Sequence, residues 1–215
     1  MLTFIGVGPG DAELITLKAV RLLRQANAIA LPDSGSGESA VMRIIAQWIE
    51  GKPVCRLSMP MTGNRADWEA AHRQAADTLL SWLEKYQTVA YPVLGDPGIY
   101  ATSSYLARLI QPRHPCAIVP GVPAMCAAAA EIGVPLCEQR ESLTVTDRFE
   151  PGAPLPPGNA VIMKCAKTMP AIKEALGGRA AYAVRNLGME NEWKGRVEDF
   201  CEEDYSYFTT VILKA

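Results

Sequence analysis

The sequence predicts a two-domain α/β protein: an N-terminal parallel sheet with covering helices, followed by a C-terminal mixed α+β sheet. Three observations carry this. Short apolar runs alternate with helical patterns from Leu2 to Val119, and such alternation favours a parallel sheet, because each crossover must return the chain to the same sheet end. Two of the runs stop at glycine loops, Gly6-Val7-Gly8-Pro9-Gly10-Asp11 and Gly95-Asp96-Pro97-Gly98. Beyond Pro120 the texture changes to fewer helices per strand. The junction falls near Pro120-Gly121, giving domains 1–121 and 122–215.

Taken in order, Leu2 to Val7 is an apolar strand. Leu14 to Ala28 carries Leu14, Leu17, Val20, Leu22 and Leu23 at helical spacing, with Lys18, Arg21 and Arg24 opposite. Ala28 to Pro32 is a second strand, and Asp33-Ser34-Gly35-Ser36-Gly37 is a flexible loop by composition. Ser39 to Ile49 reads as a helix and Val54 to Leu57 as a strand. A long helix from Asp67 to Tyr86 bears Trp68, Ala71, Ala75, Leu79 and Leu83 as one stripe, with His72 on a polar, exposed face. Thr88 to Leu94 is a strand, Ser103 to Ile110 a helix, and Cys116 to Val119 a fifth strand.

In the second half, Pro123 to Ile132 is an alanine-rich helix and Pro170 to Leu176 a short one. Leu143 to Thr146, Ala160 to Lys164, Ala181 to Val184 and Phe208 to Leu213 read as strands. A proline- and glycine-rich stretch, Pro151 to Gly158, separates the first two.

Composition narrows the class. Of 215 residues, 49% are hydrophobic and 20% charged, which supports a sizeable core and argues against disorder. The net charge of -2 gives no general attraction to phosphate, so no nucleic-acid partner is expected. No window approaches the roughly 20 apolar residues of a membrane span, and MLTFIGVGPGD lacks the basic start of a signal peptide. Six scattered cysteines without a CxxC pair, beside only His72 and His114, make a Cys/His metal cluster improbable. The expectation is a cytoplasmic protein with reduced, structural thiols and no metal.

Neither glycine loop is decisive alone. GVGPGD lacks the third glycine of a dinucleotide loop and the Gly-Lys-Ser/Thr of a phosphate loop, and Pro9 removes a backbone donor. Taken alone, a tight turn opening a helix is the better account of it. In Leu94-Gly95-Asp96-Pro97-Gly98-Ile99-Tyr100, an acidic residue beside glycines suits a ligand with hydroxyl or ammonium donors. An Asp-Pro turn is the alternative. In parallel sheets the ligand crevice lies beyond the carboxyl ends of the strands, where both loops sit.

The ordered set GVGPGD, LGDPGIY and VPGVPA, each at a strand end, closely resembles the tetrapyrrole (corrin/porphyrin) methylase family. Finer features resemble its precorrin-2 and cobalt-factor-II C20-methyltransferase branch. These are Ser58-Met59-Pro60-Met61-Thr62 before a Trp/Glu/Ala-rich helix, the run from Gly95 to Leu106, Ile132-Gly133-Val134-Pro135-Leu136, and Val161-Ile162-Met163-Lys164. The GGDP-Phe pattern of the uroporphyrinogen-III methylases is absent. The chain is somewhat short for the branch, and its Pro151 to Gly158 region is compressed.

The resemblance implies a fold with an active-site cleft between two domains, S-adenosylmethionine (SAM) as methyl donor, S-adenosylhomocysteine as product, a tetrapyrrole substrate and a homodimer. It places Pro9 near the cofactor, Leu94, Gly95, Asp96 and Ile99 at its methionine part, and Pro123 and Ala124 where the family often shows Thr-Ala. Thr102 and Ser103 are further candidates, Met163 is assigned to the adenine side, and Ala183 or Gly188 to the closing of the adenine pocket. Methionine also fills core gaps, Tyr100 and Tyr105 suit a core, and Lys164 suits a solvated surface as well as a substrate carboxylate. Arg43, Arg65, Arg140 and Arg185 are unranked partners for those carboxylates.

No catalytic side chain stands out, and the expected mechanism is alignment of an electron-rich meso carbon with an activated methyl. The rival readings are a methylase of the same fold acting at another position or on another substrate, and a non-catalytic tetrapyrrole-binding relative. A nucleotide-binding dehydrogenase is disfavoured by the wrong glycine fingerprint.

Overall fold

The computed structural model describes residues 1–33, 39–60, 62–201 and 205–215. Ser34, Gly35, Ser36 and Gly37 of the expected flexible loop, and Met61 of the Ser58–Thr62 segment, lie outside the described residues. The chain divides into two compact units, Met1–Val122 and Pro123–Ala215.

The first unit is built on strands β1 (Leu2–Gly6), β2 (Ala28–Asp33), β3 (Val54–Ser58), β4 (Val89–Val93) and β5 (Cys116–Val119). They pair in the order β3-β2-β4-β1-β5, and every pair is parallel. Alternation sorts their side chains. Leu2, Phe4, Ala28, Ala30, Val89, Tyr91 and Val93 enter one apolar layer, and Ile5, Ile29, Leu31 and Ala90 enter the other. Both faces are covered, as a parallel sheet requires.

Helices α1 (Leu17–Gln25) and α2 (Ala40–Ile45) cover the second face through Ala19, Leu23, Val41, Ile44 and Ile45. Helices α3 (Arg65–Lys85) and α4 (Ser103–Ile110) cover the first through Ala75, Ala76, Leu79, Leu83, Leu106, Ala107 and Ile110. Two of these helices begin at side-chain caps. Ala19 N–H donates to Thr16 Oγ1 at 3.1 Å and Ala66 N–H to Asn64 Oδ1 at 2.9 Å, which satisfies otherwise orphaned donors. The pattern read from Leu14 to Ala28 is shorter as a helix, because a separate 3-10 turn occupies Ala12–Leu14 and Ala26 already leaves the helical conformation.

His72 corrects an expectation. It is 4% exposed, on the line of α3 that continues through Ala75, Ala76 and Leu79. Its ring stacks at 3.8 Å on Trp68, and Nδ1 lies 2.8 Å from the Trp68 carbonyl. Trp68 in turn meets Tyr105 of α4 edge-on at 4.7 Å.

The second unit holds α5 (Ala124–Ile132), β6 (Leu143–Thr146), β7 (Asn159–Met163), α6 (Met169–Ala175), β8 (Ala181–Arg185), β9 (Trp193–Arg196) and β10 (Thr209–Leu213). The sheet order is β6-β7-β10-β8-β9; β6 runs parallel to β7, and the other pairs are antiparallel. One face packs Ala160, Ile162, Ala183, Val211 and Leu213 against Met169, Ile172, Val197 and Phe200. Helix α5 packs on β10 and β9 and stops at Gly133, whose φ of 75° permits the left-handed turn.

Candidate functional site

Parallel pairing puts the carboxyl ends of β4, β1 and β5 side by side, so the loops that follow them share one edge of the first sheet. The chain leaves β1 for α1 on one face and β4 for α4 on the other. Neighbouring strands that diverge to opposite faces open a crevice between their loops.

The loops are joined backbone to backbone. Gly95 N–H donates to the Gly8 carbonyl at 2.7 Å, and Gly8 N–H to the Gly95 carbonyl at 3.4 Å. Both residues have positive φ, 83° at Gly8 and 72° at Gly95, a conformation that disfavours any side chain. Asp96 binds two amides: Oδ1 accepts from Gly98 N–H at 2.7 Å and Oδ2 from Gly121 N–H at 2.9 Å. Gly6 and Gly121 meet so closely that a Cβ on Gly6 would stand 2.7 Å from Gly121 Cα and 2.8 Å from the Gly95 carbonyl oxygen. Gly6 and Gly121 are absent from the site residues read from the sequence; the available signal was glycine at the end of β1 and just beyond β5.

In this unit Pro9 and Gly95 are buried, and Leu94, Asp96 and Ile99 are half-buried. Thr102 is exposed at the start of α4. Ser103, 2% exposed, turns inward on the face of α4 that carries Leu106, Ala107 and Ile110. Tyr100 and Tyr105 are 44% and 42% exposed, so neither is a core residue. The three loop segments 6–16, 94–102 and 119–123 contain Asp11, Glu13 and Asp96 but neither lysine nor arginine. The segments are therefore net acidic, a charge balance that favours a cationic ligand over a phosphate.

In the second unit, Pro123 precedes α5 and Ala124 opens it. Met163 ends β7 half-buried, opposite Thr210. Ala183 is 0% exposed within β8 and packs into that unit's core. Gly188 is exposed beyond β8, and its N–H donates to Glu192 Oε2 at 2.6 Å. The same sheet end has two residues in the left-handed region, Lys164 at φ 57° and Asn186 at φ 53°, and such strain gathers at functional sites. Lys164 Nζ lies 5.8 Å from the centre of the Tyr207 ring. Among the described residues, no group of three or more His, Cys, Asp or Glu side chains could hold a metal, and no helix is long and apolar enough to cross a membrane.

A parallel sheet with three glycine loops at its switch point, in a chain whose second unit carries a mixed sheet, defines an α/β class of protein with its ligand crevice at the strand ends. Residues 1–199 match the tetrapyrrole (corrin/porphyrin) methylases. The chain belongs to that family.

Two relatives narrow the comparison. The chain is 34% identical over 143 residues to a Methanocaldococcus jannaschii protein named "Probable cobalt-precorrin-2 C(20)-methyltransferase", a match covering 66% of this chain and 61% of that one. It is 28% identical over 231 residues to the precorrin-2 C(20)-methyltransferase of a Sinorhizobium species, covering 97% of this chain and 93% of that one. Two solved structures share the fold. A Corynebacterium diphtheriae protein described as related to cobalamin synthesis (CobF) superposes with a TM-score of 0.81 at 21% identity, covering 100% and 98% of the two chains. The uroporphyrin-III C-methyl transferase of Thermus thermophilus, complexed with S-adenosyl homocysteine, gives 0.66 at 21%, covering 99% and 96%.

Proposed function

We propose that this protein transfers a methyl group from SAM to C20 of precorrin-2 or of its cobalt complex. The observation that carries the reading is the edge formed by the loops after β4, β1 and β5, in a chain matched along 97% of its length to a precorrin-2 C(20)-methyltransferase. That edge fits SAM by its charge: net acidic segments without lysine or arginine, for a ligand with a sulfonium and an ammonium.

The residues proposed to hold SAM are Pro9, Leu94, Gly95, Ile99 and Thr102 of the first unit, and Pro123, Ala124, Met163 and Gly188 of the second, with Asp96 contributing through its main chain, since both oxygens of its side chain are bonded to backbone amides. Ser103 and Ala183 remain in the proposed set on the family resemblance alone, both residues being buried within their own units. SAM supplies an activated methyl on sulfur, and an electron-rich meso carbon of the reduced tetrapyrrole is a competent nucleophile. The protein's part is then to fix orientation and exclude water. Alignment of this kind is worth several powers of ten in rate: the bond from carbon to methyl forms as the bond from sulfur to methyl breaks, S-adenosylhomocysteine leaves, and the proton displaced from the meso carbon passes to water. The substrate's carboxylates need cations, for which Lys164, Arg43, Arg65, Arg140 and Arg185 remain the candidates. We further propose a homodimer, which light scattering on the purified protein tests, and a cytoplasmic location, which cell fractionation tests.

Mass spectrometry after incubation with SAM and, separately, precorrin-2, its cobalt complex and later corrin intermediates tests the function. One added methyl on the first or second substrate supports it. Methylation confined to later intermediates favours a family member acting at another position, and SAM binding without transfer to any tetrapyrrole favours a binding protein.

A further inference from the structure

We propose that Asp96 is a positioning residue: its carboxylate fastens the loop after β4 to the loop after β5, and so holds in one arrangement the backbone that receives SAM, without gripping the ligand itself. The proposal rests on the SAM reading of this edge.

Both carboxylate oxygens are committed to the protein. Oδ1 takes Gly98 N–H at 2.7 Å and closes the turn of its own loop. Oδ2 takes Gly121 N–H at 2.9 Å and reaches across 25 residues of sequence to the neighbouring loop. Hydrogen bonds from amides to an ionised carboxylate are the stronger, shorter kind.

The neighbouring residue completes the tie. Gly95, immediately before Asp96, is bridged to Gly8 through both of its backbone groups. The three loops therefore meet at the dipeptide Gly95-Asp96, the first loop through Gly95 and the third through Asp96. Gly121 is held in place from the other side as well, by packing on Gly6 and Gly95 that leaves no space for a Cβ.

This arrangement makes a distinctive demand on binding. If Asp96 acts through the loops, removing it lowers the fraction of molecules whose edge is ready for ligand. Apparent affinity falls by that fraction for every ligand that needs the edge, whatever groups the ligand carries. A direct contact instead costs affinity only for ligands that bear the contacted group.

The experiment compares the wild type with Asp96→Asn, which keeps the volume but removes the charge and one acceptor. Calorimetry is run with S-adenosylhomocysteine, with 5′-methylthioadenosine, which lacks the amino-acid end, and with the 2′,3′-dideoxy form of the latter, which lacks the ribose hydroxyls. The expected result is one common loss, about tenfold, for all three. In the ligand-free variant the Gly121 amide should also exchange faster with solvent and shift in nitrogen-15 NMR, which a contact to ligand alone would not cause. Asp96→Glu, which keeps the charge but lengthens the reach, should fail to rescue; it also carries the comparison if the Asn variant does not fold by circular dichroism. A loss that vanishes with the amino-acid end or the hydroxyls, an unchanged Gly121 amide, or unchanged affinities throughout would overturn the proposal while leaving the SAM reading intact. A wild-type protein that binds none of the three ligands would overturn that reading, and the proposal with it.

Discussion

A single methyl group at Gly121 would fall on the Gly95 carbonyl oxygen and within 2.8 Å of Gly6 Cα. The surrounding atoms are backbone held by strand pairing, so they cannot step aside. Gly121→Ala is therefore expected to cost about 1–3 kcal/mol of stability, the usual range for overpacking, and to weaken S-adenosylhomocysteine binding. Urea denaturation and calorimetry check both, and an alanine variant of unchanged stability would contradict the packing. The sequence shows glycine loops at strand ends but not that Gly6, Gly95 and Gly121 touch, because contact depends on β4, β1 and β5 being neighbours in the sheet. The burial of His72 is hidden in the sequence for a related reason. Glu69, Arg73 and Gln74 around it give the helix a polar look, whereas the ring follows the buried line of Ala75, Ala76 and Leu79. His72→Ala is expected to destabilise the protein by about 2–4 kcal/mol, as large-to-small core changes do, with His72→Phe recovering most of it through the Trp68 and Tyr105 contacts. An alanine variant as stable as wild type in urea would place the ring outside the core.

Among the elements, strands with two buried faces were the most legible. Leu2–Gly6 and Val89–Val93 are buried at every position, so they read as unbroken apolar runs. β9 leaves no strand signal in the sequence. Its sequence Trp-Lys-Gly-Arg alternates half-buried and exposed positions on a sheet edge, where cations are favoured because they discourage further pairing. The approach to β6 depends on a polar tie that periodicity cannot reveal. Glu141 Oε2 accepts from Glu138 N–H at 2.9 Å and from Asn159 Nδ2 at 2.6 Å, while Asn159 Oδ1 accepts from Ala215 N–H at 3.0 Å. These bonds hold the Glu141 carboxyl below its ordinary range, the Glu138 amide contributing most and the Asn159 amide next. A carboxyl lowered in the folded state stabilises the fold above its unfolded pKa and loses that contribution as pH falls through the folded one. Glu141→Gln is thus expected to lower the melting temperature slightly at neutral pH and to converge with wild type in the acid range where carboxylates protonate. A difference that persists or widens on acidification would contradict the assignment.

Over the whole molecule, the change of texture beyond Pro120 corresponds to the change from an all-parallel sheet to a mixed one. Fold and family were legible because three glycine motifs occur in one order at three strand ends. The particular tetrapyrrole position was not legible from physics, since the loops are built mainly of glycine, proline and apolar residues that any SAM-binding relative can use. It rests on the Ser58–Thr62 and Gly95–Leu106 segments and on the named relatives. The measurement that bears most directly on the central claim is the position of the transferred carbon. The protein is incubated with SAM labelled with carbon-13 in its methyl group and with precorrin-2 or its cobalt complex, and the product is examined by carbon-13 NMR. The expected result is one enriched methyl bonded to C20. An enriched methyl at any other carbon, or none on either substrate, would contradict the account.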